Sequence, residues 1–491
     1  MELGKPARGL PCPGLAKKGI PGSRPSLAPP SLGGGGLPAM WRRGLQAQAL
    51  AACLPLRGSG SRGSATVSVS PASGLADRPA RVRAEGLRPG EAVSLRGLVA
   101  ASEGEDEGEP GGSLFASCGH YQADAEGRVD ASREPSLGGD FEGLEPMGLF
   151  WSLAPAPTER PFRRLEPRRC RPLRVELSLH RGHLPPASLV APGPALAQAQ
   201  AERRFSLPGG VRRVRLREGA LRGTLFLPRE KEGNGPFPGV IDMFGDEGGL
   251  IEFRSSLLAT HGFAALSLPY FNYEDLPKVM GDFHLEYFEQ AARFLLHHPK
   301  VKGPGIGVVG TGKGAELASS MMTFLPEVVA AVCISGCSSI TASALHYGEM
   351  TLPGLRFNMN RVTISEDGVF DIYEALDDPR DPANLQCRIP VEKAEGHFLF
   401  VVGEDDRYWK SSLYADIAIG SLRQHGKDNF KLLRYPGAGH QINPSFTPVC
   451  LVALDHILGV PILGGGERKA HAHAQEHSWG QILEFLHFHL R

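Results

Sequence analysis

The stretch Gly305-Ile306-Gly307-Val308-Val309-Gly310-Thr311-Gly312-Lys313-Gly314-Ala315-Glu316-Leu317 joins a short apolar run to a Gly-rich turn and a helix start. That is the build of a nucleophile elbow, G-x-S-x-G, in which a strained turn holds the central residue above a parallel sheet. Here the frame is Gly310-Thr311-Gly312-Lys313-Gly314, and its central residue, Gly312, has no side chain. The sequence therefore predicts the scaffold for an attacking atom without the atom.

Two later loops carry the groups that would serve such an atom. Val401-Val402-Gly403-Glu404-Asp405-Asp406 puts carboxylates just past an apolar run, and Tyr435-Pro436-Gly437-Ala438-Gly439-His440 puts a histidine on a Gly-rich loop past the next one. A histidine removes the proton of a nucleophile and later protonates the leaving group, while an aspartate fixes the tautomer of the ring and stabilises its charge. Elbow, then Asp, then His is the chain order of the α/β-hydrolase triad. Each signal alone reads as a turn or a structural histidine; the three in order, each after a strand, point to a triad site.

An oxyanion hole would use the backbone N–H of Lys313 together with one from the loop Asp242-Met243-Phe244-Gly245-Asp246-Glu247-Gly248-Gly249, at Phe244 and Gly245. Asp246 and Glu247 either place negative charge beside that hole or point to solvent, and the sequence leaves both open. Thr311 is the nearest alternative nucleophile, but adjacent positions on a sharp turn point elsewhere. Cys333, Ser335 and Cys337 belong to the next strand and its end, out of expected reach.

These loops need a framework, and the pattern along the chain supplies one. Residues 1–62 hold nine Lys/Arg and one acid, against 44 Lys/Arg and 52 Asp/Glu in the rest. The mildly acidic body argues against nucleic-acid binding as the main activity. The leader is rich in Gly, Pro, Ala and Arg and is expected to be disordered. Within it, Met40 to Leu54 can form a helix with basic and apolar faces, the signature of a mitochondrial transit peptide. The alternatives are a cytosolic protein with a plain extension, or a true start at Met40.

From Ala65 to about Ser206, short period-two runs broken by Gly and Pro predict a β-sandwich over residues 65–205. The acidic run Glu103 to Glu109 within it is expected to be a solvated loop. From about Leu207 to the end, apolar strands alternate with amphipathic helices, among them Phe283 to His298 and a closing helix with Trp479, Ile482, Leu483, Leu486 and Leu490 on its apolar face. This predicts a doubly wound α/β domain over residues 207–491, with its ligand crevice beyond the carboxyl ends of the strands. No run of about 18 apolar residues exists, so no membrane span is expected. The eight cysteines have no zinc-site spacing and are expected to be reduced; neither metal nor cofactor is implied. His471, His473 and His477 are expected to be solvated. Arg160, Arg163, Arg164, Arg168, Arg169, Arg171 and Arg174 are expected to be ordinary surface charge rather than a phosphate site.

Several longer motifs carry a specific resemblance. Phe141-Glu142-Gly143-Leu144-Glu145-Pro146-Met147-Gly148-Leu149, Phe237-Pro238-Gly239-Val240-Ile241-Asp242-Met243-Phe244-Gly245, Tyr273-Glu274-Asp275-Leu276-Pro277 and His284-Leu285-Glu286-Tyr287-Phe288 resemble the acyl-CoA thioesterase and bile-acid-CoA:amino-acid N-acyltransferase family, over nearly everything from about residue 65. The resemblance implies a sandwich followed by an α/β-hydrolase domain that processes fatty or bile acyl-CoA thioesters. By motif it puts the catalytic aspartate on Asp406 and the histidine on His440. Thioesterase members carry Ser at the elbow centre and the bile-acid acyltransferase carries Cys; this chain carries Gly312. Three functions follow: acyl-CoA hydrolysis, weak if water must replace the nucleophile; acyl transfer to an amino-acid amine; or acyl-CoA binding without turnover.

Overall fold

The computed structural model of the protein describes residues 64–101, 113–166, 169–229, 235–245, 247–455 and 458–491. The leader with Met40, the acidic run Glu103 to Glu109, Arg168 and Asp246 lie outside them. Eight apolar segments in the second part of the chain assemble one sheet: β1 (Val211–Glu218), β2 (Leu221–Pro228), β3 (Phe237–Met243), β4 (Ala264–Ser267), β5 (Val301–Thr311), β6 (Val328–Ile334), β7 (His397–Gly403) and β8 (Phe430–Tyr435). Their order is β1-β2-β4-β3-β5-β6-β7-β8. The first two pairings are antiparallel and the remainder parallel. This is the predicted α/β-hydrolase sheet.

The runs read as continuous apolar stretches because both sheet faces are covered. Successive side chains divide between the two sides, as the two-residue period requires. Val308, Phe398, Phe400 and Val402 join a core with helices α2 (Leu285–Leu296), α3 (Lys313–Phe324) and α4 (Ser411–Gln424). Val309, Leu399 and Val401 join a second core with α1 (Phe253–Thr260) and α5 (Arg468–His489). Phe283 and His284, expected as the first turn of α2, instead pair with Leu345 and His346 in a small sheet.

Register decides where the site lies. Met243 sits beside Gly310, Thr311 beside Ile334, Ile334 beside Val401, and Gly403 beside Tyr435. The carboxyl ends of β3, β5, β7 and β8 are therefore level, and the loops that follow them share one edge. The sheet order also reverses between β3 and β5, where open α/β sheets form their crevice.

Residues 66–204 form a three-stranded and a six-stranded sheet. Val82, Ala84 and Val129 of the first share a core with Val93, Leu95, Val175, Leu177 and Leu179 of the second, as in a sandwich. Val449 and Ala472 from the later part of the chain join the same core. Buried Asp77 fastens the two parts, accepting from Trp479 Nε1 at 2.8 Å and meeting His261 Nε2 at 2.5 Å. No helix of the described residues is long and apolar enough to cross a membrane.

Candidate active site

The elbow takes the shape its glycines allow. β5 ends at Thr311, α3 begins at Lys313, and Gly312 between them has φ 57° and ψ −121°, a conformation that side chains strain against. The flanking glycines answer to close backbone approach: a β-carbon on Gly310 would lie 2.1 Å from Gly314 O, and one on Gly314 would lie 2.7 Å from Met243 O. Gly312 N–H donates to Ile334 O at 2.9 Å, which ties the turn to β6. Lys313 buries its ammonium against Glu316 and Thr341 O, so what it offers the site is its backbone N–H. As a first-turn amide, that N–H has no carbonyl one turn back in its own helix.

The opposite wall is held by a tyrosine that belongs to none of the motifs. Tyr270 donates its hydroxyl to Phe244 O, with Gly245 O also near at 3.2 Å. In a planar trans peptide the N–H points away from its carbonyl, so anchoring Phe244 C=O aims Gly245 N–H the other way. A β-carbon on Gly245 would lie 3.6 Å from both Gly312 Cα and Lys313 N, which puts this loop directly against the elbow.

Asp406 and His440 meet as their motifs suggested. His440 Nδ1 lies 2.9 Å from Asp406 Oδ2, and both side chains are buried. Asp406 Oδ1 accepts the backbone N–H groups of Tyr408 and Trp409, each at 2.9 Å, which fixes the carboxylate plane. Asp405, its neighbour, is exposed. The Tyr408 ring stacks on His440 with centroids 4.5 Å apart, and Trp409 meets it edge-on at 5.8 Å. Phe244, Gly245, Thr311 and His440 line one cavity of about 60 Å³, so the strand end at the elbow, the loop after β3 and the histidine open to the same space.

The rest of that cavity wall departs from expectation. Arg164, read as surface charge, is mostly buried: it donates to Gln441 Oε1 at 2.5 Å and pairs with Glu247 at 2.6 Å and Glu166 at 3.6 Å. Burial works against its charge, but Glu166 and Glu247 more than offset this and its pKa is raised. Glu247 is thus neither an uncompensated charge nor turned to solvent; its side chain is only 13% exposed. The expectation does hold for Arg174, whose side chain is 71% exposed. A second cavity of about 220 Å³ shares Arg164 and Cys450 with the first and is lined by Phe115, Leu153, Leu165 and Val449.

The other candidate nucleophiles Thr311, Cys333 and Cys450 are engaged in contacts of their own. Thr311 Oγ1 accepts from Arg254. Cys333 lies 3.1 Å from Ser319 Oγ, and burial pushes its thiol up to about 12. Cys333, Ser335 and Cys337 are not among the residues that line the first cavity. Cys450 does line it, but burial pushes its thiol up to about 11 and Sγ donates to Val452 O at 3.0 Å. The cysteines of the described residues form no disulfide.

Of the three α5 histidines expected to be solvated, His473 and His477 are exposed and His471 is not. His471 is 1% exposed, His473 lies 3.1 Å from the Glu145 carboxylate, and His477 Nδ1 lies 2.8 Å from the Tyr435 hydroxyl. His471 and Gln475 fall on the stripe of Trp479, Ile482 and Leu486, and that spacing was the available signal.

Comparison with known proteins completes this picture. Residues 77–218 match the family described as acyl-CoA thioester hydrolase/BAAT N-terminal region, and residues 283–491 match BAAT/acyl-CoA thioester hydrolase C terminal. Human acyl-coenzyme A thioesterase 2, mitochondrial, is 47% identical over 432 residues, covering 88% of this chain and 85% of that protein. The chain belongs to the acyl-CoA thioester hydrolase/BAAT family. A second member of that family, human acyl-coenzyme A thioesterase 1, is 46% identical over 84% of this chain and 94% of its own length. Among solved structures, an esterase of Pyrococcus furiosus aligns at 13% identity with a TM-score of 0.34, covering 57% of this chain and 93% of that one.

Chemically, the arrangement offers a histidine whose Nδ1 is held by a buried carboxylate, beside a sharp glycine turn. Beside it the Gly245 and Lys313 backbones lie close together, and an apolar cavity adjoins. Among the described residues, no group of three or more His, Cys, Asp or Glu side chains is placed to hold a metal ion.

Proposed function

We propose that this chain takes acyl-CoA thioesters at the Gly312, Asp406 and His440 site and hydrolyses them slowly, with water in place of the missing side chain. The observation that carries the reading is the 2.9 Å contact of His440 Nδ1 with Asp406 Oδ2 beside an elbow centred on Gly312. In the proposed reaction His440 Nε2 takes a proton from water, and the water oxygen bonds to the thioester carbonyl carbon. The N–H groups of Gly245 and Lys313 stabilise the resulting oxyanion. Collapse breaks the C–S bond, His440 returns the proton to the departing CoA thiolate, and a free fatty acid remains. The acyl chain would occupy the cavity lined by Phe115, Leu153, Leu165 and Val449. Triad enzymes without their nucleophile keep about 10³–10⁴-fold acceleration over water. That is the activity assigned to the native chain.

The test compares acyl-CoA hydrolysis by the native protein, Gly312→Ser and His440→Ala. Slow native turnover that His440→Ala abolishes, and a rise of several orders of magnitude in Gly312→Ser, are expected. Binding of acyl-CoA with no turnover in any of the three would replace the hydrolase by a binder. Transfer to an amino-acid amine by Gly312→Cys alone would favour the acyltransferase branch of the family. We also propose that the basic leader directs the chain to mitochondria rather than leaving it cytosolic. A reporter fused to residues 1–63 that stays diffuse in the cytosol would overturn this.

A further inference from the structure

We propose that His471 is a positioning residue for His440, holding the two peptide groups on either side of it. His471 Nδ1 lies 3.0 Å from Gly439 N, and its Nε2 lies 2.7 Å from Gln441 O. An amide N–H only donates and a carbonyl only accepts, so Nδ1 must be bare and Nε2 must carry the proton. One neutral imidazole therefore clamps residues 439 and 441, and His440 between them has its Cα fixed on both sides. The ring is 1% exposed and one turn inside α5, so the clamp is anchored in the core.

Neighbouring contacts extend the same hold. Gln475, one turn further along α5, accepts from Asn443 N–H at 3.3 Å and donates to Thr447 O at 2.9 Å. Glu467 N–H, at the head of the helix, donates to Gly437 O at 2.7 Å. Residues 437 to 447 are thus laid along the first turns of α5. His471 is the member of the set that grips both neighbours of the site histidine. A proton on Nδ1 would face the Gly439 N–H and break the clamp, and burial does lower the His471 pKa. Catalytic geometry tolerates little slack: about 1 Å of misplacement can cost about 10²-fold in rate.

The test reads His440 directly and needs no turnover. NMR of the full chain labelled with ¹⁵N-histidine should show His471 as the neutral Nε2–H tautomer at pH 7. It should also show a low-field Nδ1–H proton from the His440 to Asp406 hydrogen bond. In His471→Leu that low-field signal should disappear by exchange while circular dichroism stays native. In His471→Gln it should return, because an amide accepts with Oε1 and donates with Nε2. A folded His471→Leu with the His440 signal intact would overturn the proposal. So would a folded His471→Gln that fails to restore the signal. If His471→Leu does not fold, the native tautomer decides: a protonated or Nδ1–H His471 at pH 7 contradicts the clamp.

Discussion

Arg254 Nη1 donates to Thr311 Oγ1 at 2.7 Å, and the same guanidinium donates to Met243 O at 3.0 Å and to Asp242 at 2.7 Å. Its plane also covers the Phe244 ring, 4.0 Å from the centroid. One fully buried cation therefore joins the residue before Gly312 to the end of β3, and it engages the hydroxyl adjacent to the glycine.

Thr311→Val follows from that contact. The substitution keeps the shape but leaves a buried guanidinium donor unmatched, so unfolding free energy should fall by about 1–3 kcal/mol. Native turnover per folded molecule should stay within experimental error. Loss of all residual hydrolysis in this variant would instead make Thr311 the nucleophile.

Gly312→Ser should trade stability for rate. At φ 57° and ψ −121° a side chain is strained by about 1–3 kcal/mol, so the variant should melt earlier than the native chain even as hydrolysis rises. Thermal denaturation and initial rates on one preparation check both halves. A variant as stable as the native protein would mean that the turn relaxes out of the elbow geometry.

Gly314→Ala should damage the site without removing any chemical group. Its β-carbon would lie 2.7 Å from Met243 O, so the elbow and the oxyanion loop must separate. Overpacking of this kind costs about 1–3 kcal/mol. Chemical denaturation measures the cost, and acyl-CoA affinity should weaken in parallel.

The charges of the cavity wall can be ranked. Arg164→Leu leaves Glu247 and Glu166 without their shared cation, and breaking such a buried set costs about 3–5 kcal/mol. Glu247→Gln retains a hydrogen-bonding group and a second carboxylate for Arg164, so it should cost less. In the Gly312→Ser background, Arg164→Leu should also slow hydrolysis more than Glu247→Gln, because it leaves net negative charge near the developing oxyanion. The reverse order in either assay would mean that Glu247 acts on the reaction independently of Arg164.

His471 gives a pH dependence with a defined sign. Its pKa is lowered in the folded chain by burial, with Asp406 and His440 as the charged groups acting on it. The folded state thus refuses a proton that the unfolded chain accepts below about pH 6.5. Its stabilising contribution is complete above that value and is lost as pH falls through the lower folded value, at up to about 1.4 kcal/mol per pH unit. His120, His180, His298, His487 and His489 are lowered as well, so the native slope is shared. The difference between native and His471→Gln unfolding curves at pH 7.5 and pH 5.5 isolates this residue: the native protein should lose more stability over that interval. Identical losses would mean that His471 is not held neutral.

The elements that repeat a local rule were legible in the sequence. The spacing of Gly310, Gly312 and Gly314 announced the turn, and the order of apolar runs announced the sheet and the placing of Asp406 and His440 after its strands. The partners that hold these groups were not legible, because they come from distant segments. Arg164 reaches Gln441 and Glu247, and Tyr270 reaches Phe244, through contacts that no periodicity encodes. His471 is the intermediate case. Positions 471 and 473 lie about 200° apart around a helix, so alternating histidines there must face opposite ways. The stripe through Gln475, Trp479 and Ile482 already marked which one turns inward.

The position of α5 in the chain has a consequence for how the protein is made. Gly312, Asp406 and His440 are all synthesised before Arg468, the first residue of the helix that grips the His440 loop and, through Trp479, reaches back to Asp77. Domains fold from the N-terminus as the chain emerges. During biosynthesis the site residues are therefore present before α5 can hold the loop that carries His440. A nonsense change at Arg468 would leave the three site residues in the product and yet remove the helix that grips both neighbours of the histidine.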